Sequence, residues 1–531
     1  MRARRRTLTS ASIVVGIATL LAACTIGPST RPPLATSDGG GRTGNAAATP
    51  QITSSTMPTG PGGAGRSSDP VQWSSCPDGI DSNAPTGGAA FTLQCAEVEV
   101  PKSYATTSSG SLSVALAKAT TERTPKDAPP LLVVLGAPGE NGTHRISSVA
   151  GVLPAAITDH FAVIVMDLRG TGDSVPIDCV SGRSSGDLLS LGADPTTSVA
   201  ADLLAGLART LTFDCGDMVG PDLTDYASVP TADDIDTVRS ALGVRTINFL
   251  GQGYGATLGA VYADRYPGRI GASVLDGPAD PASTPEDQAN AAAAAYQSAL
   301  TSFAQACQTF TGGCPLGADP VGAITTTIKK LGDIGIPSSD GQEITGGSIL
   351  LALTSELGRP AGWSALAAAL ESAGKGDADA IATLLRAELG TDAIEQQQAG
   401  RLVYQCNDST QRLGGASLAT AVKAARPKAP LFGPFLLGLV GVCSSWPAPD
   451  LALRGVRATG APPVLVVGAV DDPVSPFAEI RSLVAQMDSA VLLTWQSGTH
   501  GGYPTSSCVT AAVDAYLLTG KVPAAGTLCP P

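Results

Sequence analysis

The pentapeptide Gly251-Gln252-Gly253-Tyr254-Gly255 stands where a short apolar run, Thr246-Ile247-Asn248-Phe249-Leu250, gives way to an Ala-rich helical stretch from Ala256 to Arg265. This is the strand, sharp turn and helix of a nucleophile elbow, which reads G-x-S-x-G when it carries an attacking oxygen. Here the central residue is Gly253. Glycine has no side-chain atom with which to attack a carbonyl. The setting for covalent acyl transfer is therefore present without its nucleophile.

An alcohol nucleophile needs a general base, usually histidine, and the chain has three: His144, His160 and His500. His500 lies in Gly498-Thr499-His500-Gly501-Gly502, just after an apolar run ending at Thr494, where a loop base overhangs the end of a sheet. His144, in a Gly-rich loop, and His160, just before a strand, read as surface or structural. The orienting carboxylate should lie between elbow and base, at the C-terminal end of a strand. Asp472 is placed that way in Asp471-Asp472-Pro473-Val474-Ser475-Pro476, after Val464 to Gly468, with Asp471 as its competitor. Its role would be to hold the His500 imidazole in one tautomer. Oxyanion donors require a tight loop after an early strand, and Gly136-Ala137-Pro138-Gly139-Glu140-Asn141-Gly142 follows Leu131 to Leu135. Ala137, Gly139 and Glu140 are candidates there, with the backbone N–H of Tyr254 as the other donor. Such Gly/Pro-rich turns are common, so this loop has weight only beside the other pieces.

Other oxygens fit poorly. Gly182-Arg183-Ser184-Ser185-Gly186 matches the elbow string, but no strand precedes it and it reads as a polar loop. Ser174 and Ser475 sit in strand-end loops rather than on an elbow, and the Tyr254 side chain projects from a different position and direction.

These groups need a scaffold. Apolar runs at Leu131–Leu135, Ala162–Met166, Ile247–Leu250, Ala272–Leu275, Val464–Val467 and Val491–Thr494 alternate with helical patterns. Continuous rather than alternating hydrophobicity predicts strands buried on both faces, hence a mostly parallel α/β sheet with helices on both faces. One helix is expected to start with Thr231 as its cap, with Asp233 and Asp234 in the first turn, Ile235, Val238 and Leu242 on one face, and Gly243 at its end. Between residues 282 and 450 long Ala/Leu-rich stretches, such as Asn290–Phe310 and Ala365–Leu389, predict a mainly helical cap inserted between core segments 71–281 and 451–531.

Residues 1–24 read as an export signal: Arg2, Arg4, Arg5 and Arg6, then an apolar stretch from Ala11 to Ala23, too short to span a bilayer. Residues 25–70, dominated by Gly, Ser, Thr, Pro and Ala, read as a disordered tether. Of eleven cysteines, ten follow position 24: Cys76, Cys95, Cys179, Cys215, Cys307, Cys314, Cys406, Cys443, Cys508 and Cys529. An even number in an exported chain implies disulfides; pairing neighbours would give five, although many connectivities are open. No Cys-x-x-Cys pair or Cys/His cluster has metal spacing, so neither metal nor cofactor is expected. A net charge of −13 offers no basic stripe for nucleic acid; the expected partner is a peptide or ester-like small ligand.

Leu21-Ala22-Ala23-Cys24 resembles the lipobox of bacterial lipoproteins, which implies lipidation at Cys24, a membrane link through that anchor only, and a place at the outer face of the plasma membrane; an ordinary signal peptide is the alternative. From about Trp73 to Cys529 the chain resembles the exported tripeptidyl aminopeptidase and proline iminopeptidase-like branch of the α/β-hydrolases. The resemblance rests on several segments in order. They are Gly136–Gly142, Met166-Asp167-Leu168-Arg169-Gly170-Thr171-Gly172-Asp173-Ser174, the elbow with Arg265-Tyr266-Pro267-Gly268-Arg269, Leu275-Asp276-Gly277-Pro278-Ala279-Asp280-Pro281, Tyr404-Gln405-Cys406-Asn407-Asp408, the Asp472 and His500 loops, and Cys508–Cys529. It implies an α/β-hydrolase fold, Asp472 and His500 as acid and base, and a substrate-covering cap. The chain departs from that family at the elbow, where serine is replaced by Gly253, and in a loop normally rich in glycine, where it has Ala137 and Glu140. A carboxylate at Glu140 beside a developing oxyanion would oppose catalysis, unless it points away or holds a substrate amine.

Overall fold

The protein is described by a computed structural model covering residues 69–77, 79–80, 90–106, 110–389 and 394–531. The leader, Cys24 and the tether up to residue 68 lie outside the described residues.

The first two strands, β1 (Thr92–Pro101) and β2 (Ser111–Thr120), form an antiparallel hairpin at one edge of the sheet. Next come β3 (Pro130–Val134), the short helices α1 (Ile146–Val152) and α2 (Ala155–Thr158), and β4 (Ala162–Met166). Three helices follow, α3 (Gly182–Leu189), α4 (Ser198–Val219) and α5 (Ser228–Ala241), then β5 (Ile247–Gln252), α6 (Tyr254–Arg265) and β6 (Ile270–Asp276). The inserted segment holds α7 (Pro285–Cys307), α8 (Pro320–Leu331), a small hairpin of β7 (Ile336–Pro337) and β8 (Glu343–Ile344), and α9 (Gly346–Glu356). It continues through α10 (Trp363–Lys375), α11 (Asp379–Leu389), α12 (Ile394–Asn407), α13 (Gly415–Ala425) and α14 (Phe432–Gly441). The chain closes with β9 (Val464–Ala469), α15 (Phe477–Gln486), β10 (Ala490–Trp495), α16 (Ser507–Thr519) and β11 (Leu528–Cys529).

The main sheet has the order β1-β2-β4-β3-β5-β6-β9-β10-β11, with β2 antiparallel to β1 and β4 and every other pairing parallel. All six apolar runs singled out in the sequence are strands of it. Their continuous hydrophobicity has the anticipated cause. In β3, Leu132 and Val134 face one buried cluster with α5 and α6, while Leu131 and Val133 face another with α1, α2 and α16. The β1–β2 edge was not among those runs, because buried and exposed positions alternate along β1 from Ala96 to Val100, and Ser111, Ser113, Lys118 and Thr120 interrupt the apolar residues of β2.

The apolar side chains of the insertion go to two places. Those of α7 to α11 form their own buried cluster with Phe432 and Phe435. Ala399, Leu402, Val403 and Tyr404 of α12 instead join the core cluster of α5 and α6. The stretch expected to be one helix from Ala365 to Leu389 breaks at Gly376, which takes φ +99° as a left-handed C-cap, and Asp377 accepts the N–H of Asp379 to start α11.

Candidate active site

Gly253 forms the turn between β5 and α6, with φ +51° and ψ −114°. This is a conformation that residues with a side chain adopt only under strain. Its N–H donates to the Asp276 carbonyl at the end of β6 (2.8 Å), and its carbonyl accepts from Ala256 in the first turn of α6. The flanking glycines are needed for close approach: a Cβ on Gly255 would lie 2.2 Å from the Val134 carbonyl oxygen, and one on Gly251 would lie 2.4 Å from that of Gly255.

The loops after β9 and β10 carry Asp472 and His500, the residues expected as acid and base. Register pairs Gln252 of β5 with Asp276 of β6, Asp276 with Val467 of β9, and Ala469 with Trp495 of β10, so all three loops leave the same C-terminal edge of the sheet. His500 Nδ1 lies 2.8 Å from Asp472 Oδ2, while Asp472 Oδ1 accepts the Val474 N–H at 2.8 Å. Asp472 is 3 % exposed, and the His500 backbone N–H donates to the Gly358 carbonyl after α9. Burial alone would lower the His500 pKa. The Asp472 hydrogen bond and charge, joined by the charge of Asp276, outweigh burial and the opposing Arg359, and raise it above 6.5. Asp471, the competing acid, has its carbonyl and Cβ against Gly498.

The loop after β3 departs from an open anion site. The Tyr254 N–H donates to the Gly136 carbonyl at 2.9 Å, and the Gly255 N–H to the Leu135 carbonyl at 3.2 Å. The first of these groups is the donor expected to face an oxyanion; here the chain's own carbonyl takes that bond. Residues Ala137 to Glu140 make a tight turn closed by a Glu140 N–H bond to the Ala137 carbonyl, with Gly139 at φ +91°. Glu140 does not hang over the elbow: its carboxylate pairs with Arg145 at 2.8 Å. The turn is covered by α12. A Cβ on Gly139 would meet the Gln397 carbonyl oxygen at 2.4 Å, and one on Gly400 would meet the Gly139 Cα at 2.7 Å.

A second polar cluster involves the Tyr254 side chain. Asp408, just after α12, accepts the Ser228 N–H (2.8 Å) and the Ser228 hydroxyl (2.7 Å), and the Tyr254 hydroxyl lies 3.3 Å from the same carboxylate. Ser228 Oγ and the Tyr254 hydroxyl also bond to each other. Burial pushes Asp408 up to about 6. Helix α5 therefore begins at Ser228 rather than at a Thr231 cap, and its first N–H is met by a carboxylate 180 residues away. Thr231 instead lies inside the helix, bonded to the Ala227 carbonyl and the Tyr404 hydroxyl. Asp233 and Asp234 pair with Arg265 and the fully buried Arg169.

The remaining candidates are accounted for by their partners. Ser174 donates to the Asp167 carbonyl and accepts from Ala115, and Ser475 donates to the Gly277 carbonyl. Ser184 and Ser185 are buried in α3, which Ser181 caps, so that string is a helix start rather than a loop. His144 pairs with Asp173 at the surface, and His160 packs edge-on against Phe161. Each of the ten cysteines is bonded to its neighbour in sequence: Cys76–Cys95, Cys179–Cys215, Cys307–Cys314, Cys406–Cys443 and Cys508–Cys529. Among the described residues no group of His, Cys, Asp and Glu is arranged to hold a metal ion, and no helix is long and apolar enough to cross a membrane. Sequence reasoning assigned no role to Asp276, Ser228 or Asp408. The only signal for them was that Asp276 and Asp408 fall inside motifs, Leu275–Pro281 and Tyr404–Asp408.

Residues 429–529 match the model of a family described as TAP-like protein. Serine protease Hip1 of Mycobacterium tuberculosis is 26 % identical over 484 residues, which cover 87 % of this chain and 91 % of that protein. Carboxylesterase B of the same organism is 28 % identical over 484 residues (86 % and 90 %), and the tripeptidyl aminopeptidase of Streptomyces lividans 25 % over 490 (87 % of each). Among solved structures, proline iminopeptidase from Mycobacterium smegmatis aligns over 80 % of this chain and 97 % of its own, at 15 % identity and a TM-score of 0.38. The chain has the α/β-hydrolase fold and a C-terminal region that matches the TAP-like model, and it is homologous to serine protease Hip1 and to the tripeptidyl aminopeptidases.

Proposed function

We propose that this protein is an exported hydrolase homologue that binds a peptide or ester-like small ligand without covalent turnover. The observation that carries this reading is Gly253 at the elbow: the backbone has the shape that presents a nucleophile, and no nucleophile is attached to it. Loss of a triad nucleophile typically costs on the order of a millionfold in turnover. The bond from the Tyr254 N–H to the Gly136 carbonyl supports the same reading, because it engages a donor that acyl transfer needs. The ligand class follows from the relatives' names, a protease, an aminopeptidase and a carboxylesterase.

A second reading is favoured by one feature. His500 and Asp472 stay hydrogen-bonded at 2.8 Å, an arrangement able to activate water in place of serine. The full-length chain treated with a fluorophosphonate probe and assayed on aminoacyl and short-ester substrates separates the two. We expect neither labelling nor turnover. Stoichiometric labelling abolished by removing one serine overturns the proposal; turnover without labelling, lost in His500→Gln, supports the water route.

Five disulfides support the exported part of this reading, since such bonds persist in oxidising compartments. Anchoring by a lipid on Cys24 at the outer face of the plasma membrane is part of the proposal, supported by Leu21-Ala22-Ala23-Cys24. Cys24→Ser is expected to shift the protein from the membrane fraction to the soluble one, and unchanged fractionation rules the anchor out.

A further inference from the structure

Asp276 is the last residue of β6, between the strand that carries the elbow and the strand that precedes the acid loop. Its backbone and side chain do two different jobs. The carbonyl accepts the Gly253 N–H at 2.8 Å. The carboxylate accepts two amides from the histidine loop, Gly502 N–H on Oδ1 (3.2 Å) and Tyr503 N–H on Oδ2 (2.8 Å). A third tie runs from Gln252 Nε2 to the Tyr503 carbonyl at 3.2 Å. One residue thus fixes the elbow turn and the loop two and three residues beyond His500.

The same carboxylate is a charge. Asp276 is 4 % exposed, and its carboxylate is held by the two backbone amides of the histidine loop. The next residue, Gly277, packs on the imidazole: a Cβ there would lie 3.6 Å from His500 Cε1. The cation whose charge acts on this carboxylate is the His500 imidazolium.

We propose that Asp276 is a positioning residue that anchors the His500 loop to the elbow and, with Asp472, serves as a second counter-charge for the imidazole. The groups acting on His500 are Asp472 from the loop after β9, Asp276 from β6 and Arg359 from the segment after α9; the first two favour its charged form and the third opposes it. Burial pushes Asp276 up to about 6, repulsion from Asp472 adds to that, and the Gly502 and Tyr503 amides and the His500 charge pull it down. The attraction between the two charges acts both ways, so ionisation of Asp276 favours the charged imidazole and the reverse. An imidazole held charged by two carboxylates is a hydrogen-bond donor toward the elbow rather than a base. Water activation at this site is then confined to pH values above the His500 midpoint.

The test does not depend on turnover, so it stands apart from the proposed function. The full chain with 13C-labelled histidine gives three Cε1 signals, and His500→Gln identifies the one from His500. In the parent, the His500 midpoint is expected above 6.5, and in Asp276→Asn it is expected to fall by about one unit. A role confined to backbone anchoring leaves that midpoint unmoved, and an unchanged midpoint in a folded Asp276→Asn protein overturns the proposal. If that variant does not fold, the parent alone decides: the His500 signal should show a second inflection near 6 as Asp276 takes up its proton. A single inflection overturns the coupling.

Discussion

At the scale of single residues, the elbow lacks more than an oxygen. A Cβ on Gly253 would lie 3.0 Å from the Gly136 carbonyl oxygen, closer than side-chain carbons usually approach, and φ +51° strains any residue that carries one. The same carbonyl holds the Tyr254 N–H. Gly253→Ser therefore adds a nucleophile to a site with one oxyanion donor already engaged, a loss worth about 10²–10³ in turnover. The variant is expected to react with a fluorophosphonate probe, yet to hydrolyse aminoacyl substrates at least ~100-fold more slowly than the Streptomyces lividans tripeptidyl aminopeptidase assayed beside it. Comparable turnover would show that the Gly136 carbonyl gives way. Glu140 is not the obstacle that its sequence position implied, since its carboxylate turns to Arg145. Gly253, Asp472 and His500 were legible because each sits in a short motif beside a strand. The engaged Tyr254 N–H was not, because a backbone bond between two loops leaves no mark on residue type.

At the scale of elements, the join between α12 and α5 shows why local pattern misplaced a helix start. Thr231 followed by two aspartates has the residue types of a capped first turn, but Ala227 provides no side-chain cap and Asp408 supplies the acceptor from across the insertion. Helix α12 is further held by Tyr404 on Thr231 and on the Arg169 carbonyl, and by Asn407 on the Leu223 and Tyr226 carbonyls. Asp408→Ala leaves the Ser228 N–H and hydroxyl without their acceptor. It is expected to destabilise the fold by about 2 kcal/mol, read from the denaturant midpoint, whereas Asp408→Asn, which keeps one acceptor oxygen, should lose less. Equal losses would mean that the carboxylate does not cap α5.

At the scale of the whole molecule, buried carboxylates set the response to pH. Burial raises Asp167, Asp276 and Asp408 to about 6, above the ~3.9 of an unfolded aspartate. Ionising them costs the fold nothing below ~3.9 and its full amount above ~6, so their contribution to stability falls as pH rises through that window. His500, raised above 6.5, contributes stability below 6.5 that is lost as pH rises through its folded value. Both act in one direction, and the protein is expected to melt at a higher temperature at pH 5 than at pH 7.5; the reverse order would contradict the raised values. Sequence by itself determined the strand runs, the elbow, the Asp472 and His500 loops and the supply of ten cysteines after position 24, because each of these depends on residue types close together in the chain. Tertiary structure decided the rest. It chose one disulfide pairing among many, sent Glu140 to Arg145, capped α5 from residue 408, and placed Asp276 between the elbow and the histidine loop. Each of those outcomes depends on which distant groups the sheet order brings within hydrogen-bond reach.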